Sequence, residues 1–322
     1  GALMIVDVHA HYHPRAYSEA LASATGRPLS NFAMGANVDT DDDDHLKKRL
    51  EMMDEAGVRM QVVTPAGGRA PYLAGEAAAV SAARLYNDRA TQLVTRYPDR
   101  FKTFVSLPLP HIDASLQELR RGLDELGMIG VNLHISALDR SVAEDEFLPI
   151  YEEVNRRRGV IFFHPAGNSA CCPMITDYGF GGAVGTSLED AVIGLHLIAK
   201  KIPSKCPQVT FIIPHFGGPL AMLLDRLNNQ YSMSSKNLPE PPKDTARRFY
   251  YDTVGHGSHA ALHCAWMAYG AGHVLIGSDF PVLQSWETYE RTINWVRDAG
   301  LPQADLEQIL EKTATSVLGL DG

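Results

Sequence analysis

Two histidines spaced two residues apart follow the first apolar run of the chain. The run Met4–Val8 leads directly into His9, Ala10 and His11. Because side chains on a β-strand alternate between its two faces, His9 and His11 point to the same side. Two imidazoles at one strand end can bind a metal ion together. The pair therefore predicts further ligands at the ends of later strands.

The elements that would position such ligands are short apolar segments bounded by turn residues. The candidate strands are Met4–His9, Met60–Thr64, Phe101–Leu107, Gly130–His134, Val160–His164, Val209–His215, Phe249–Thr253 and Val274–Ser278. Runs of this kind are typical of parallel strands buried on both faces. Amphipathic helical patterns separate them, as in His45–Ala56. This alternation predicts an α/β fold, a (β/α)8 TIM barrel with its active site at the C-terminal strand ends.

Three further candidate residues follow the apolar runs of later strands. His164 ends the fifth candidate strand, His215 ends the sixth, and Asp279 follows the eighth. We predict that His9, His11, His164 and Asp279 bind one divalent metal ion, because mixed imidazole and carboxylate ligands suit Zn²⁺, the preferred ion, or Mn²⁺. His215 is either a fifth ligand or, in the preferred interpretation, a base beside the water that the metal would bind.

Composition and charge restrict the partners and the location of the protein. The formal net charge is −9 and no dense lysine and arginine stripe occurs, which argues against nucleic-acid binding. The sequence shows no apolar run of membrane-span length and no signal peptide, so we expect no membrane partner. The four cysteines lack CxxC spacing and are typical of reduced thiols in a cytoplasmic protein.

The organisation along the chain indicates one domain over residues 1–322. We interpret residues 1–3, which precede Met4, as an expression remnant. Residues 14–44 form a long connection after the first strand, with scattered Gly, Ser, Asn and Pro. Barrel enzymes often use such an insertion as a lid, so we predict a lid-like insertion here.

Five sequence motifs resemble those of the amidohydrolase superfamily, and most closely those of the branch typified by aminocarboxymuconate semialdehyde decarboxylase. The motifs are Val6–Pro14, Glu51–Val58, Phe163–Pro165, His215–Gly218 and Gly277–Pro281. They follow the order of the family over nearly the whole chain. The resemblance implies a one-metal site, because the fourth strand carries no lysine that could bridge a second metal.

The resemblance also implies the reaction. We expect a metal-dependent, non-oxidative decarboxylase that acts on a small unsaturated or aromatic carboxylic acid. The proton that replaces the carboxylate would come either from metal-bound water activated by His215 or from Asp279. A hydrolase or hydratase that uses the same activated water on a lactone, an amide or a C=C bond is the alternative.

Arginines are the expected ligands of the substrate carboxylate, because a guanidinium binds it through a fork of hydrogen bonds. The resemblance implies that Arg226 reaches the pocket of a neighbouring subunit, and hence a homodimer or a higher homo-oligomer. The other substrate arginine of the family has no clear match in Asn31–Asn37. Arg69 or Arg15 could replace it. His134, at the end of the fourth strand, either lines the pocket or makes a strand-end hydrogen bond.

The unmatched arginine bears on the identity of the substrate. A pocket with fewer cationic groups favours an aromatic acid such as a hydroxybenzoate over the semialdehyde. Four aromatic side chains could either form the walls of such a pocket or belong to the core: Tyr12, Tyr178, Phe180 and Trp286.

Overall fold

The computed structural model describes residues 4–33, 40–234 and 237–320. The predicted expression remnant at residues 1–3 lies outside the described residues, and so do residues 34–39 of the predicted lid. Among the described residues, no helix is both long and apolar enough to span a bilayer.

A closed barrel of parallel strands forms the centre of the fold. The strands are β1 (Ile5–His11), β2 (Val58–Thr64), β3 (Phe101–Thr103, continued by Val105–Ser106), β4 (Val131–His134), β5 (Val160–His164), β6 (Thr210–Ile213), β7 (Tyr250–Asp252) and β8 (Val274–Leu275). Each strand lies beside its neighbours in sequence order. A parallel bridge between Ala10 and Phe280 closes the barrel between β1 and the segment after β8. The predicted (β/α)8 barrel is confirmed.

Helices cover the outside of the barrel. They are α1 (Arg15–Thr25), α2 (Asp43–Glu55), α3 (Glu76–Arg96), α4 (Ile112–Arg120), α5 (Leu148–Arg156), α6 (Pro173–Thr176), α7 (Thr186–Ala199), α8 (Ile202–Lys205), α9 (Leu220–Ser234), α10 (Pro242–Ala246), α11 (His259–Tyr269), α12 (Tyr289–Asn294), α13 (Gln303–Glu307) and α14 (Thr313–Leu318). The acidic run before α2 caps that helix, because the Asp42 carboxylate accepts hydrogen bonds from the backbone N–H groups of Asp44 and His45.

A β-bulge in β1 sets the direction of its last side chains. The partners Asp7↔Gln61 and Ala10↔Val63 show that β1 advances one residue more than β2 between these pairs. Before the bulge, Val6 and Val8 pack into the inner apolar cluster of the barrel. An extra residue reverses the alternation of faces. His9 therefore also faces inward, with its ring 5.2 Å from that of Phe162.

Candidate active site

Four buried side chains meet at the C-terminal end of the barrel. One ligand atom each from His9, His11, His164 and Asp279 lies within 4.8 Å of all the others. The Nε2 atoms of His9 and His11 are 3.2 Å apart. Asp279 Oδ1 lies 2.8 Å from Nε2 of His11 and 3.3 Å from Nε2 of His9. This set of three imidazoles and one carboxylate has the donor types of a site for one divalent metal ion.

Hydrogen bonds orient the three histidines for metal binding. In each ring, Nδ1–H donates to an oxygen, so that Nε2 faces the cluster. The acceptors are Asp252 Oδ2 for His9 (2.7 Å), Thr64 O for His11 (3.1 Å) and Pro165 O for His164 (2.9 Å). Because the acceptors carry no hydrogen of their own, these tautomers are the ones the surroundings favour. The four side chains fit a divalent metal in both donor type and orientation.

Burial and mutual charge set the protonation of the cluster. Burial lowers the pKa of His164 well below its usual value and also lowers that of His11. Burial has the same effect on His9, but the carboxylates of Asp252 and Asp279 outweigh it and raise the pKa of His9 to about 9. Burial raises the pKa of Asp279, whereas the charge of His9 and hydrogen bonds from the histidines lower it to a net value well below the usual range. Asp279 is therefore ionised, as a metal ligand must be.

His215 lies beside the four-ligand cluster. Its Nδ1–H donates to Asp190 Oδ2 at 2.7 Å, and its Nε2 lies 3.8 Å from Asp279 Oδ2. Burial lowers the pKa of His215, but the Asp190 carboxylate outweighs burial and holds the pKa well above its usual value. The Nε2 atom thus faces both the cluster and the cavity above it.

A tight turn after β6 presents His215 at this position. His215 and Phe216 both adopt positive φ angles, of 51° and 57°. Two glycines complete the turn because no side chain fits: a Cβ at Gly218 would lie 1.9 Å from the main-chain oxygen of Ser187, and one at Gly217 would lie 2.7 Å from the Tyr251 ring. The residues His215–Gly218 therefore form the tight turn as well as supplying the imidazole.

Two buried carboxylates of the site, Asp190 and Asp252, were not predicted from the sequence. Both have no exposed surface. Asp252 ends the apolar run of β7, so the strand-end signal that identified His164 and His215 would also have identified it. Asp190 lies in the second turn of α7, where no local signal in the sequence distinguishes it from a residue on the helix surface.

A cavity of about 1100 Å³ opens above the cluster. His164, His215 and Asp279 line it at the metal site, and Arg69 and His256 also contribute to its surface. The remaining wall is largely apolar, with contributions from Val254, Leu283 and Trp286 among others. A cavity with a few polar groups in an apolar wall is typical of a small-molecule site.

Arg69 is the predicted substrate arginine that the structure places in the cavity. Its Nη2 donates to Ala33 O at 2.7 Å and its Nη1 to Gly67 O at 3.2 Å. Its Nε is buried and has no hydrogen-bond partner among the residues that the structure describes. The hydroxyl of Tyr17 donates to the main-chain oxygen of Arg69 at 2.6 Å. Arg69 is thus held in place by two of its five N–H donors.

The described part of the predicted lid supports Arg69 from the side. Tyr17 lies on α1 and Ala33 follows a short turn at Leu29–Phe32. Tyr17 and Phe32 are both buried in the core. No residue of 14–33 or 40–44 lines the cavity. The lid function therefore stays a prediction.

His134 and Arg226 lie away from this cavity. His134 is buried, and its Nε2–H donates to Ala66 O at 3.2 Å, which is the strand-end hydrogen bond of one interpretation. It lines a separate cavity of about 160 Å³. Arg226 is exposed on α9 and does not line the cavity of its own chain. Arg15 is exposed and forms an ion pair with Glu19 at 3.8 Å.

The four aromatic wall candidates divide into different environments. Trp286 lines the cavity with 70% of its surface exposed. Tyr178 and Phe180 are exposed on the loop after β5, whose glycines Gly179 and Gly182 line the cavity. Tyr12 is a core residue, as in the second of the two interpretations.

Comparisons with known proteins agree with this geometry. A family model described as "Amidohydrolase" matches residues 6–320. The decarboxylase macB of Penicillium terrestre is 28% identical, with 97% of this chain and 94% of the relative aligned. The gamma-resorcylate decarboxylase of Rhizobium radiobacter is 24% identical, with 85% of this chain and 87% of the relative aligned.

A solved structure has the same fold. The dihydroxybenzoic acid decarboxylase of Polaromonas sp. JS666, with bound manganese and the inhibitor 2-nitroresorcinol, superposes with a TM-score of 0.84 at 22% identity, over 99% of this chain and 98% of that chain. The match of the family model over nearly the whole chain, on a barrel with this cluster of ligands, shows that the chain belongs to the amidohydrolase family.

Proposed function

We propose that this protein is a metal-dependent, non-oxidative decarboxylase of a small aromatic carboxylic acid. The observation that carries the proposal is the convergence of three oriented imidazoles and Asp279 at the bottom of the cavity, with His215 directly beside them. Support also comes from the relatives, whose names describe decarboxylases, one of them of gamma-resorcylate.

His9, His11, His164 and Asp279 would hold the metal. When bound, the ion would attract electron density from the substrate oxygens and so ease the loss of the carboxylate. We propose Zn²⁺ as the ion, because imidazole-rich sites suit it, with Mn²⁺ as the alternative. The manganese in the Polaromonas structure supports the alternative.

Other side chains of the cavity would bind the substrate carboxylate and deliver a proton. Arg69, whose buried Nε is unpaired in the described part of the chain, would bind the substrate carboxylate. As the C–C bond breaks, its electron pair stays on the ring carbon, a proton bonds to that carbon, and carbon dioxide leaves. Either His215, with its raised pKa, would deliver that proton directly, or the ionised Asp279 would first take the proton from Nε2 of His215, 3.8 Å from its Oδ2, and pass it on. His134 lies behind the wall of the cavity, so any effect it has on the substrate would be indirect.

The oligomeric state and the location complete the proposal. We propose a homodimer or a higher homo-oligomer in which Arg226 reaches the cavity of the neighbouring subunit; its exposure on α9 leaves it available for such a contact. We also propose a cytoplasmic location, in keeping with four cysteines that are all unpaired.

The experiment that tests the function is a substrate screen with two readouts. Aromatic and muconate-type acids are incubated with the Zn²⁺-loaded or Mn²⁺-loaded protein, and carbon dioxide release and product mass are measured. We expect carbon dioxide together with a product that has lost its carboxylate, and no turnover after chelation of the metal. A product that has gained water without release of carbon dioxide would identify a hydratase or hydrolase and refute the proposal.

A further inference from the structure

Asp252 contacts two different parts of the active site with its two oxygens. Its Oδ2 accepts from Nδ1–H of His9 at 2.7 Å. Its Oδ1 accepts from the backbone N–H groups of His215, at 2.9 Å, and of Val254, at 3.0 Å. The carboxylate is completely buried, so no water competes for these contacts. One side chain thus joins the metal-binding cluster to the residue beside it.

The path of these contacts across the barrel is unusual. Asp252 ends β7, whereas His9 lies on β1, and β8 runs between those two strands. The side chain can cross because the segment after β8 has Gly277 at the crossing point. A Cβ there would lie 2.9 Å from the Cβ of His9 and 3.0 Å from Cγ of Asp252. Gly277 therefore leaves the room in which the carboxylate reaches the histidine.

The chemistry of the contacts requires a carboxylate. Both oxygens of Asp252 accept hydrogen bonds, from an imidazole N–H on one side and from backbone N–H groups on the other. An asparagine has one acceptor oxygen and one donor nitrogen, so one of the two sides would face a donor with another donor. The two contacts are thus coupled through the same group.

We propose that Asp252 is a positioning residue that fixes the metal ligand His9 and the proton-transfer candidate His215 relative to each other. It orients Nε2 of His9 toward the metal by holding Nδ1, in the way that partners of metal-bound histidines tune affinity. It holds His215 by its main chain, while Asp190 holds the same residue by its ring. The part of the inference that concerns rate rests on the proposed decarboxylation; the part that concerns metal binding does not.

The test compares Asp252→Ala, Asp252→Asn and the control Asp190→Asn. Zn²⁺ affinity is measured by chelator competition, and kcat and KM are measured at saturating Zn²⁺. We expect Asp252→Ala to weaken Zn²⁺ binding by about 10- to 100-fold, and to retain a lower kcat even when fully loaded. KM should change little, because Arg69 is untouched. Asp252→Asn should lose at least one of the two properties.

Asp190→Asn shows whether a loss of Zn²⁺ affinity is specific to Asp252 or follows from replacement of any buried carboxylate that contacts His215. Asp190 contacts the ring of His215 and none of the four metal ligands in the described contacts, so this variant should lower kcat while Zn²⁺ affinity stays at the wild-type value. Equal weakening of Zn²⁺ binding in both variants would overturn the proposal. So would wild-type Zn²⁺ affinity in Asp252→Ala, or a wild-type kcat once that variant is saturated.

Two further readouts keep the test decisive. If Asp252→Ala does not fold, the isosteric Asp252→Asn carries the test, and a crystal structure of it shows whether His9 or the His215 main chain has moved. An unchanged position of both residues overturns the proposal. If the wild-type protein binds Zn²⁺ but decarboxylates no acid, the proposed function fails, while chelator competition and the crystal structure still decide the role of Asp252.

Discussion

Replacement of Arg69 tests how the substrate carboxylate is bound. A guanidinium has five N–H donors. Ala33 O and Gly67 O accept from two of them, and within residues 4–33, 40–234 and 237–320 the buried Nε has no partner. A fork between this side chain and a carboxylate would add charge-assisted hydrogen bonds, each worth about 1.5–3 kcal/mol. Because Arg69→Met removes the fork, we expect a net loss of about 2–3 kcal/mol, or about 30- to 160-fold in KM.

The effect should appear mainly in KM. The carboxylate keeps much of its charge until the C–C bond is broken, so Arg69 would bind it in the transition state about as well as in the ground state. Loss of an interaction made in both states raises KM and leaves kcat largely unchanged. Arg69→Lys keeps the charge without the fork and should give an intermediate KM. The measurement is steady-state release of carbon dioxide from the best acid of the substrate screen.

Two controls show whether the carboxylate is the group concerned. The reaction product lacks the carboxylate, so its inhibition constant should be the same for wild type and Arg69→Met. Arg247→Met removes an exposed arginine that donates to Ala268 O and should leave KM unchanged. A wild-type KM in Arg69→Met, or equal weakening of substrate and product, would refute this account of Arg69.

The remaining predictions concern proton transfer, metal binding and the turn after β6. His215→Asn should lower kcat by about 10²- to 10⁴-fold with unchanged bound metal in elemental analysis; normal kinetics would make His215 a structural residue. Metal binding at pH 7 should release about one proton, because the pKa of His9 is raised to about 9 in the metal-free site and His11 and His164 are already neutral. Affinity should therefore rise with pH up to about 9, and calorimetry in buffers of different ionisation enthalpy measures the proton count; no release would contradict the assigned charge of His9. Gly218→Ala should destabilise the fold by at least about 2 kcal/mol, whereas Gly26→Ala, at a positive φ of 67° in open space, should cost less; equal melting temperatures would argue against the contact with Ser187.

The strands of the barrel could be predicted from the sequence, because burial on both faces gives each parallel strand a clear apolar pattern. His9, His11, His164 and Asp279 could be identified for the same reason: each stands where an apolar run stops. Asp252 fulfils the same criterion, because it stands at the end of the apolar run of β7. The positions of whole elements followed from local sequence, since each strand carries its own signal.

Contacts between distant segments were not predictable in this way. The partnership of Asp190 with His215 depends on how α7 packs beside the turn after β6, and no spacing in the sequence encodes it. The support of Arg69 by Tyr17 and Ala33 likewise arises from tertiary packing, although the same segment suggested a lid from its composition. The sequence left two interpretations of Tyr12, because an aromatic residue next to a ligand motif looks the same whether it faces the cavity or the core.

The bulge in β1 brings residues of different phase to the same face of the strand. Val6 and Val8 fill the interior of the barrel, and the extra residue lets His9 and His11 face inward as well. In a regular strand that contained all of these residues, the valines and the histidines would lie on opposite faces. Deleting Val8 alone would restore regular alternation after Asp7 and leave both histidines facing inward. A single-codon deletion at this position would therefore weaken core packing rather than remove the metal site, and homologues whose β1 is one residue shorter at the bulge would be expected to keep this chemistry wherever both histidines remain.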